Sequence, residues 1–467
     1  MRSVKRWSIG AAVCALVTAQ AWAGLTADEI KRLGADLTPW GAEKAGNKDG
    51  SIPPYTGGVD PKAFKVTVVG KKENGIEWKK YSDPFAADKP LYSINASSMD
   101  KYADKLDEAT KLMLKRYPNT YRIDVYPTRR SAVYPKFVVD NTLLNAQTAV
   151  LESEGLGLTG AYGGIPFPIP KTGNEVIWNW TLRNLGRLTS SGKQETWYVD
   201  SSGTRILANA GTNHTESPYY DPNIGRENYL KQNNPPIILI NGSYSSPARM
   251  AGNENVYNER IGKVYERKAW SYVQGQRRVR VAPDLAYDTP IVQNGGVLVF
   301  DDSGLFWGAM DRFDFKLIGK KEMYIPYNTY KEMYWTPAEV AAGKNHQNPD
   351  TARWELHRVW VVESTLKPGF RHLYSKRVYL IDEDYAGGLQ YSYDAAGKLY
   401  RSIQSVSNPL PEGVNSSQGY WAYDFVAGVY GRVTQNSCAD CGSWAETTKG
   451  LGASYYTPEA MQTRGVR

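Results

Sequence analysis

Residues 354–385, WELHRVWVVESTLKPGFRHLYSKRVYLIDEDY, set two long apolar runs on either side of a turn. From Trp354 to Leu366, β-branched and aromatic residues interleave with polar ones. Lys367-Pro368-Gly369 supplies turn chemistry, and a second such run extends from His372 to Ile381. The stretch reads as a β-hairpin. A lone hairpin is marginal in water, so the rest of the chain must supply neighbouring strands and something to cover the buried face.

From Glu175 onward the chain reads as further strands separated by turn clusters. Aromatic residues recur two apart: Trp178/Trp180, Trp270/Tyr272, Phe313/Phe315, Tyr391/Tyr393, and Trp421/Tyr423/Phe425. On a strand, each set puts its rings on one face. Such a face is either a filled core or the lining of a concave pocket for an apolar ligand, with carbohydrate stacking on exposed rings as a third reading. Two longer helices are expected. Ser98 to Tyr117 carries Met99, Tyr102, Leu106, Ala109, Met113 and Tyr117 at three- and four-residue steps, and Pro135 opens a shorter one to about Ala149. Thr336-Pro-Ala-Glu339 reads as a capping box for a short surface helix. The fold expected is mainly β with a few helices (α+β), a large curved antiparallel sheet or incomplete barrel closed by helices around an apolar cavity.

At the start, Arg2, Lys5 and Arg6 precede the apolar run Ile9 to Ala19 and Ala21-Trp22-Ala23, the order of a cleaved secretory signal peptide over residues 1–23. No later apolar run reaches the ~20 residues a spanning helix needs. An exported, periplasmic protein is therefore expected. Residues 24–61, rich in Gly and Pro after a short helix capped by Thr26, read as an arm wrapping the body, 62–435 as the main domain and 436–467 as a tail. Export would leave Cys438 and Cys441, spaced C-x-x-C, in an oxidising compartment. The spacing fits a disulfide, half a zinc site or a redox motif; with no second C-x-x-C, nearby histidines or βαβ context, the disulfide is the expectation.

The formal charge of +8 is interleaved with acidic residues, which argues against a nucleic-acid partner. No metalloprotease, serine-hydrolase, phosphate-loop or dinucleotide motif is present, and no catalytic residue, cofactor or metal is expected. Of the four histidines, His357 and His372 fall on the two arms of the hairpin, where they could approach one another. Asp382-Glu383-Asp384 at the hairpin's end fit either a hard-cation or acid–base site or, with more weight, ordinary solvated loop acids.

LTPWGAEKAGNKDGSIPPYTGG, WNW at 178–180, GQRRVRVAPDLAYDTP, FDFKLIGKKEMYIPYNTY and the hairpin together resemble a bacterial family of unknown function, the 1329 family, whose members are often labelled outer-membrane lipoprotein-sorting proteins. The resemblance implies a fold like that of periplasmic lipoprotein carriers, a half-barrel around a hydrophobic cavity. It also implies a lipid or acyl-chain ligand, and outer-membrane proteins and a resistance-nodulation-division exporter as partners. Joined to the aromatic pairs, it points to Trp178, Trp180, Trp270, Tyr272, Phe313, Phe315 and Trp360 as cavity lining beneath the Ser98–Tyr117 helix. A lipophile carrier is the expected function, with an envelope scaffold or a β-rich enzyme acting on lipid or glycan as alternatives.

Overall fold

The computed structural model describes residues 24–70, 76–446 and 449–465, with the backbone alone at 415–418. The expected signal peptide lies outside the described residues. The short helix α1 (Ala27–Arg32) carries the Thr26–Glu29 capping box, and Gly34 follows it in the left-handed region at φ +89°.

In chain order, the strands are β1 (Val66–Val68), β2 (Lys79–Tyr81), β3 (Tyr92–Ile94), β4 (Ile123–Val125), β5 (Val150–Glu152), β6 (Gly157–Thr159), β7 (Leu188–Val199), β8 (Arg205–Glu216), β9 (Pro236–Ser246) and β10 (Glu254–Ile261). They continue with β11 (Tyr265–Val273), β12 (Arg278–Val281), β13 (Phe313–Pro326), β14 (Trp354–Leu366), β15 (Lys376–Asp382), β16 (Gly388–Tyr393), β17 (Leu399–Pro409), β18 (Asn415–Asp424), β19 (Val429–Gln435) and β20 (Gly442–Glu446). The hairpin is β14 and β15, paired from Val359↔Asp382 to Thr365↔Lys376. Its second strand starts later than the sequence suggests. The Tyr374 backbone N–H donates to the His372 ring at 3.0 Å, which folds 372–375 into a loop.

Pairing runs antiparallel through β12–β11–β10–β9–β8–β7–β19–β18–β17–β16–β15–β14–β13. The outer edges, β12 and β13, do not pair with each other, so the curved sheet stays open rather than closing into a barrel. Long β7 holds β19 along one half and β20 along the other, and β20 leads on to β2 and β1. Among the described strands, one pair runs parallel, Trp354↔Val125, which attaches β4 and, through it, β3.

Both faces of the central sheet are buried. Along β15, Val378 and Leu380 belong to one apolar cluster, and Tyr379 and Ile381 to another on the opposite side. On β18, Trp421 and Tyr423 alternate with Tyr420 and Ala422 in the same way. A strand covered on both sides reads as an unbroken apolar run, which is why VYLI at 378–381 shows so little alternation.

The expected long helix is two pieces: a 3-10 helix Met99–Lys105, then α2 (Glu108–Arg116). Asp107 breaks them apart. Its carboxylate accepts from the Ala109 and Thr110 N–H groups at 2.9 and 3.0 Å, an N-cap that starts a new helix. These pieces bury Met99, Leu106, Ala109, Met113 and Leu114 against the first face of the sheet. The second face is covered by α3 (Lys136–Thr148), by α4 (Gly173–Thr181) and by the segment 291–313.

The Trp178/Trp180 pair stands on α4, not on a strand. Thr172 and Glu175 form a complete capping box, the N-terminal signal that outweighs the β reading of WNW. Residues two apart on a helix point apart, and the two indole N–H groups reach different carbonyls, Gly155 and Gly304. The short helix Ala338–Ala341 lacks the expected box: Pro337 is its N-cap, and Thr336 donates instead to the Lys331 carbonyl.

Candidate functional site

A cavity of about 200 Å³ lies on the second face of the open sheet. Its floor is built by alternation: Gln194 and Thr196 on β7, Asn213 and Thr215 on β8, Tyr257 and Glu259 on β10 each stand two apart and so point the same way. Ile240 of β9, Tyr420 of β18 and Val433 of β19 add apolar surface, and Ile291, Phe300 and Trp307 form a roof. The roof is held down from below. Asp301 accepts from Arg377 at 2.7 Å and His372 at 3.1 Å, and Asp302 accepts from Tyr374 at 2.7 Å and Gln390 at 3.2 Å. Burial pushes Asp301 up, but the Arg377 guanidinium outweighs it and holds the carboxyl well below its usual range.

The lining is amphipathic rather than purely apolar. Arg267 pairs with Glu259 at 2.7 Å, and Tyr265 also donates to that carboxylate. Arg183, immediately beyond α4, is the other charged lining residue. Its Nη1 donates to the Trp180 carbonyl at 2.8 Å, and its guanidinium lies 4.2 Å from the Trp180 ring centroid.

None of the seven rings expected to line a cavity borders this one. Trp178, Trp180, Phe313 and Phe315 are packed into the second-face core, and Trp360 packs against it under Lys320. Phe313 and Phe315 do share a face, with ring centroids 6.4 Å apart. Trp270 and Tyr272 are on the other side of β11, because Arg267 and Ala269 hold the parity that faces inward. There they pack with Tyr456 and Met461 of the C-terminal segment. The Ser98–Tyr117 pieces cannot cap the cavity, since the sheet lies between them. Sequence reasoning missed the real lining because Asn, Thr and Gln at alternate positions of β7 and β8 look like an ordinary solvent face.

The acids at 382–384 are buried, not solvated: all three are at most 2% exposed. Asp382 contacts His357 at 3.3 Å and accepts from Tyr327 at 3.1 Å. Glu383 takes Lys320 at 2.8 Å and Arg130 at 3.2 Å, and Asp384 accepts from the Trp40 indole at 2.8 Å. Trp40 belongs to the N-terminal arm, so this acidic turn pins the arm onto the body. His357 and His372 do not meet: His357 lies between Glu355 and Asp382, and His372 sits on Asp301. Burial lowers His357, but hydrogen bonds to Asp382 and Glu355 more than offset it and raise the imidazole to about 9. A Ser190–His214 contact of 2.8 Å resembles part of a hydrolytic pair, yet both residues are buried and neither borders the cavity.

Cys438 and Cys441 are joined in a disulfide. Glu195 lies within 4.8 Å of both sulfurs, but the oxidised pair offers no thiolate to a metal. No described helix is long and apolar enough to cross a membrane.

A family model described as a protein of unknown function, DUF1329, matches residues 93–462. The chain belongs to this family. It is 39% identical over 477 residues to the uncharacterized protein PA3922 of Pseudomonas aeruginosa, covering 98% of each chain. Among solved structures, it resembles a Vibrio parahaemolyticus domain named for outer membrane lipoprotein sorting at 12% identity and TM-score 0.42, covering 62% of this chain and 97% of the other. It also resembles a DUF1329 protein from Desulfovibrio piger at 13% identity and TM-score 0.39, covering 59% and 92%. A third is the LolA superfamily protein NE2245 of Nitrosomonas europaea, at 10% identity and TM-score 0.34, covering 60% and 94%.

Proposed function

We propose that this protein is a periplasmic binding or carrier protein for a lipophilic ligand in envelope lipid traffic. The observation that carries the reading is the cavity between the open sheet and the 291–307 roof, where Ile240, Ile291, Phe300, Tyr420 and Val433 surround a space of about 200 Å³. That is below the ~300–1,000 Å³ of sites for drug-sized ligands, a volume suited to one chain rather than a whole diacyl lipid. Binding rather than catalysis fits the Ser190–His214 pair, which is walled off from the cavity. Outer-membrane proteins and an exporter of the resistance-nodulation-division class are the partners this role would call for.

The test is native mass spectrometry with lipid extraction of protein purified from the periplasm, joined to titration with a fluorescent acyl probe. The parent should bind the probe saturably. Ile240→Trp, which fills the cavity at an overpacking cost of about 1–3 kcal/mol, should abolish binding while leaving a folded protein. Saturable binding unaffected by Ile240→Trp would move the site elsewhere, and no binding to the parent would remove the carrier reading.

A further inference from the structure

The cavity's charges do not balance. Among its lining residues, Glu259 is matched by Arg267, whereas Arg183 has no carboxylate within ion-pairing distance among the described residues. Arg183 is 6% exposed, and its Nε has no hydrogen-bond acceptor. Burial draws the guanidinium down to about 10, with only the Tyr220 and Tyr134 hydroxyls opposing, so it remains a cation at neutral pH. The Tyr220 hydroxyl proton is already committed to the Leu182 carbonyl.

A buried charge is ordinarily paired, because leaving water costs more than neutral contacts return. The end of α4 compensates in part: Trp180 supplies a carbonyl to Nη1 and a ring face to the guanidinium, and a helix C-terminus carries roughly half a negative charge. A cap of that kind works equally well from an exposed side chain. It explains neither the burial of Arg183 beside a cavity nor the idle Nε. The remaining polar lining is made of hydroxyls, amides and the Trp307 indole, all neutral, so the cavity as a whole favours an anion.

Building on the proposal that the cavity takes a lipophile, we infer that Arg183 is its head-group subsite and that the ligand is a single-chain amphiphile ending in anionic oxygens. The planar guanidinium suits a carboxylate or a phosphate, either of which accepts two parallel N–H bonds. The chain would lie against Ile240, Ile291, Phe300 and Val433. The same chemistry is offered by a free fatty acid and by a lysophospholipid phosphate.

The experiment titrates the parent, Arg183→Met and Arg183→Lys with four probes of equal chain length: a fatty acid, its methyl ester, an alkyl phosphate and an alkyl trimethylammonium. The parent should prefer one or both anions over the ester by about tenfold or more, the scale of a charge-assisted hydrogen bond, and should bind the cation worst. Whether acid or phosphate binds more tightly identifies the source. Arg183→Met should erase the preference while retaining the ester, and Arg183→Lys should keep part of it. Binding of neither anion more tightly than the ester by the parent overturns the inference and leaves the carrier reading standing. A lower melting temperature for Arg183→Met with an unchanged preference for the anion over the ester also overturns it, since that is the signature of a helix cap alone. Failure of the parent to bind any probe removes the carrier reading and this inference with it. If Arg183→Met does not fold by circular dichroism, the parent ratios and Arg183→Lys decide.

Discussion

His357 provides a measurable link between protonation and folding. Its imidazole is 2% exposed and held between Glu355 at 3.1 Å and Asp382 at 3.3 Å, with a pKa raised from 6.5 to about 9. A base whose pKa is higher folded than unfolded binds its proton more tightly in the native state. Its contribution is fully present below about pH 6.5 and is lost as pH rises through about 9. The difference between 6.5 and about 9 corresponds to roughly 3 kcal/mol. His214 runs the other way. Burial lowers it to about 4, so its contribution is present above about pH 6.5 and is lost as pH falls toward 4. Together they place a stability maximum near neutral to mildly acidic pH. Urea unfolding at intervals from about pH 5 to about pH 10 should show the parent losing roughly 3 kcal/mol on the alkaline side. His357→Gln should be less stable near pH 6.5 and should flatten that alkaline slope. A flat parent profile between about pH 6.5 and 9, or a slope that survives His357→Gln, would refute the reasoning.

Phe313→Ala should cost ~3–5 kcal/mol, because the ring is buried among Phe315, His372 and Arg377; thermal unfolding measures this, and acyl-probe binding should be unchanged. Trp270→Ala, at a half-buried position under the C-terminal segment, should cost less than Phe313→Ala and also leave probe binding intact. Loss of saturable binding in either variant would show that these rings do line the site. Alkylation of unreduced protein should label neither Cys438 nor Cys441, and replacing both with Ser should cost about 2 kcal/mol or less because the closed loop is so short.

Much of the architecture was legible because it rests on local chemistry. The central hairpin, the Thr26 cap, the helix after Pro135 and the C-x-x-C pairing each depend on residues a few positions apart. Errors arose where two local signals competed. At 172–181 the β texture of WNW lost to a capping box, and at Asp107 a cap interrupted an otherwise good helical period. The fate of Asp382-Glu383-Asp384 was not local at all. Their partners Trp40, Arg130 and Lys320 come from three other segments, and only with those and the hairpin's own His357 in place does burial of three acids become affordable.

By itself, the sequence determined that strands would dominate and that Trp421 and Tyr423 of β18 would share a face, since alternation along an extended chain follows from backbone geometry alone. Only the tertiary structure decided what each face meets. The same parity that puts Trp270 and Tyr272 under the C-terminal helix Pro458–Gly465 turns Arg267 inward, and the crossing from β7 to β19 brings Thr196, Val433 and Tyr420 around one space. Arg183 acquires its meaning in the same way. Next to a helix end in sequence it is an unremarkable cap, and it becomes an unpaired cation only when the sheet and the 291–307 roof shut it away from water.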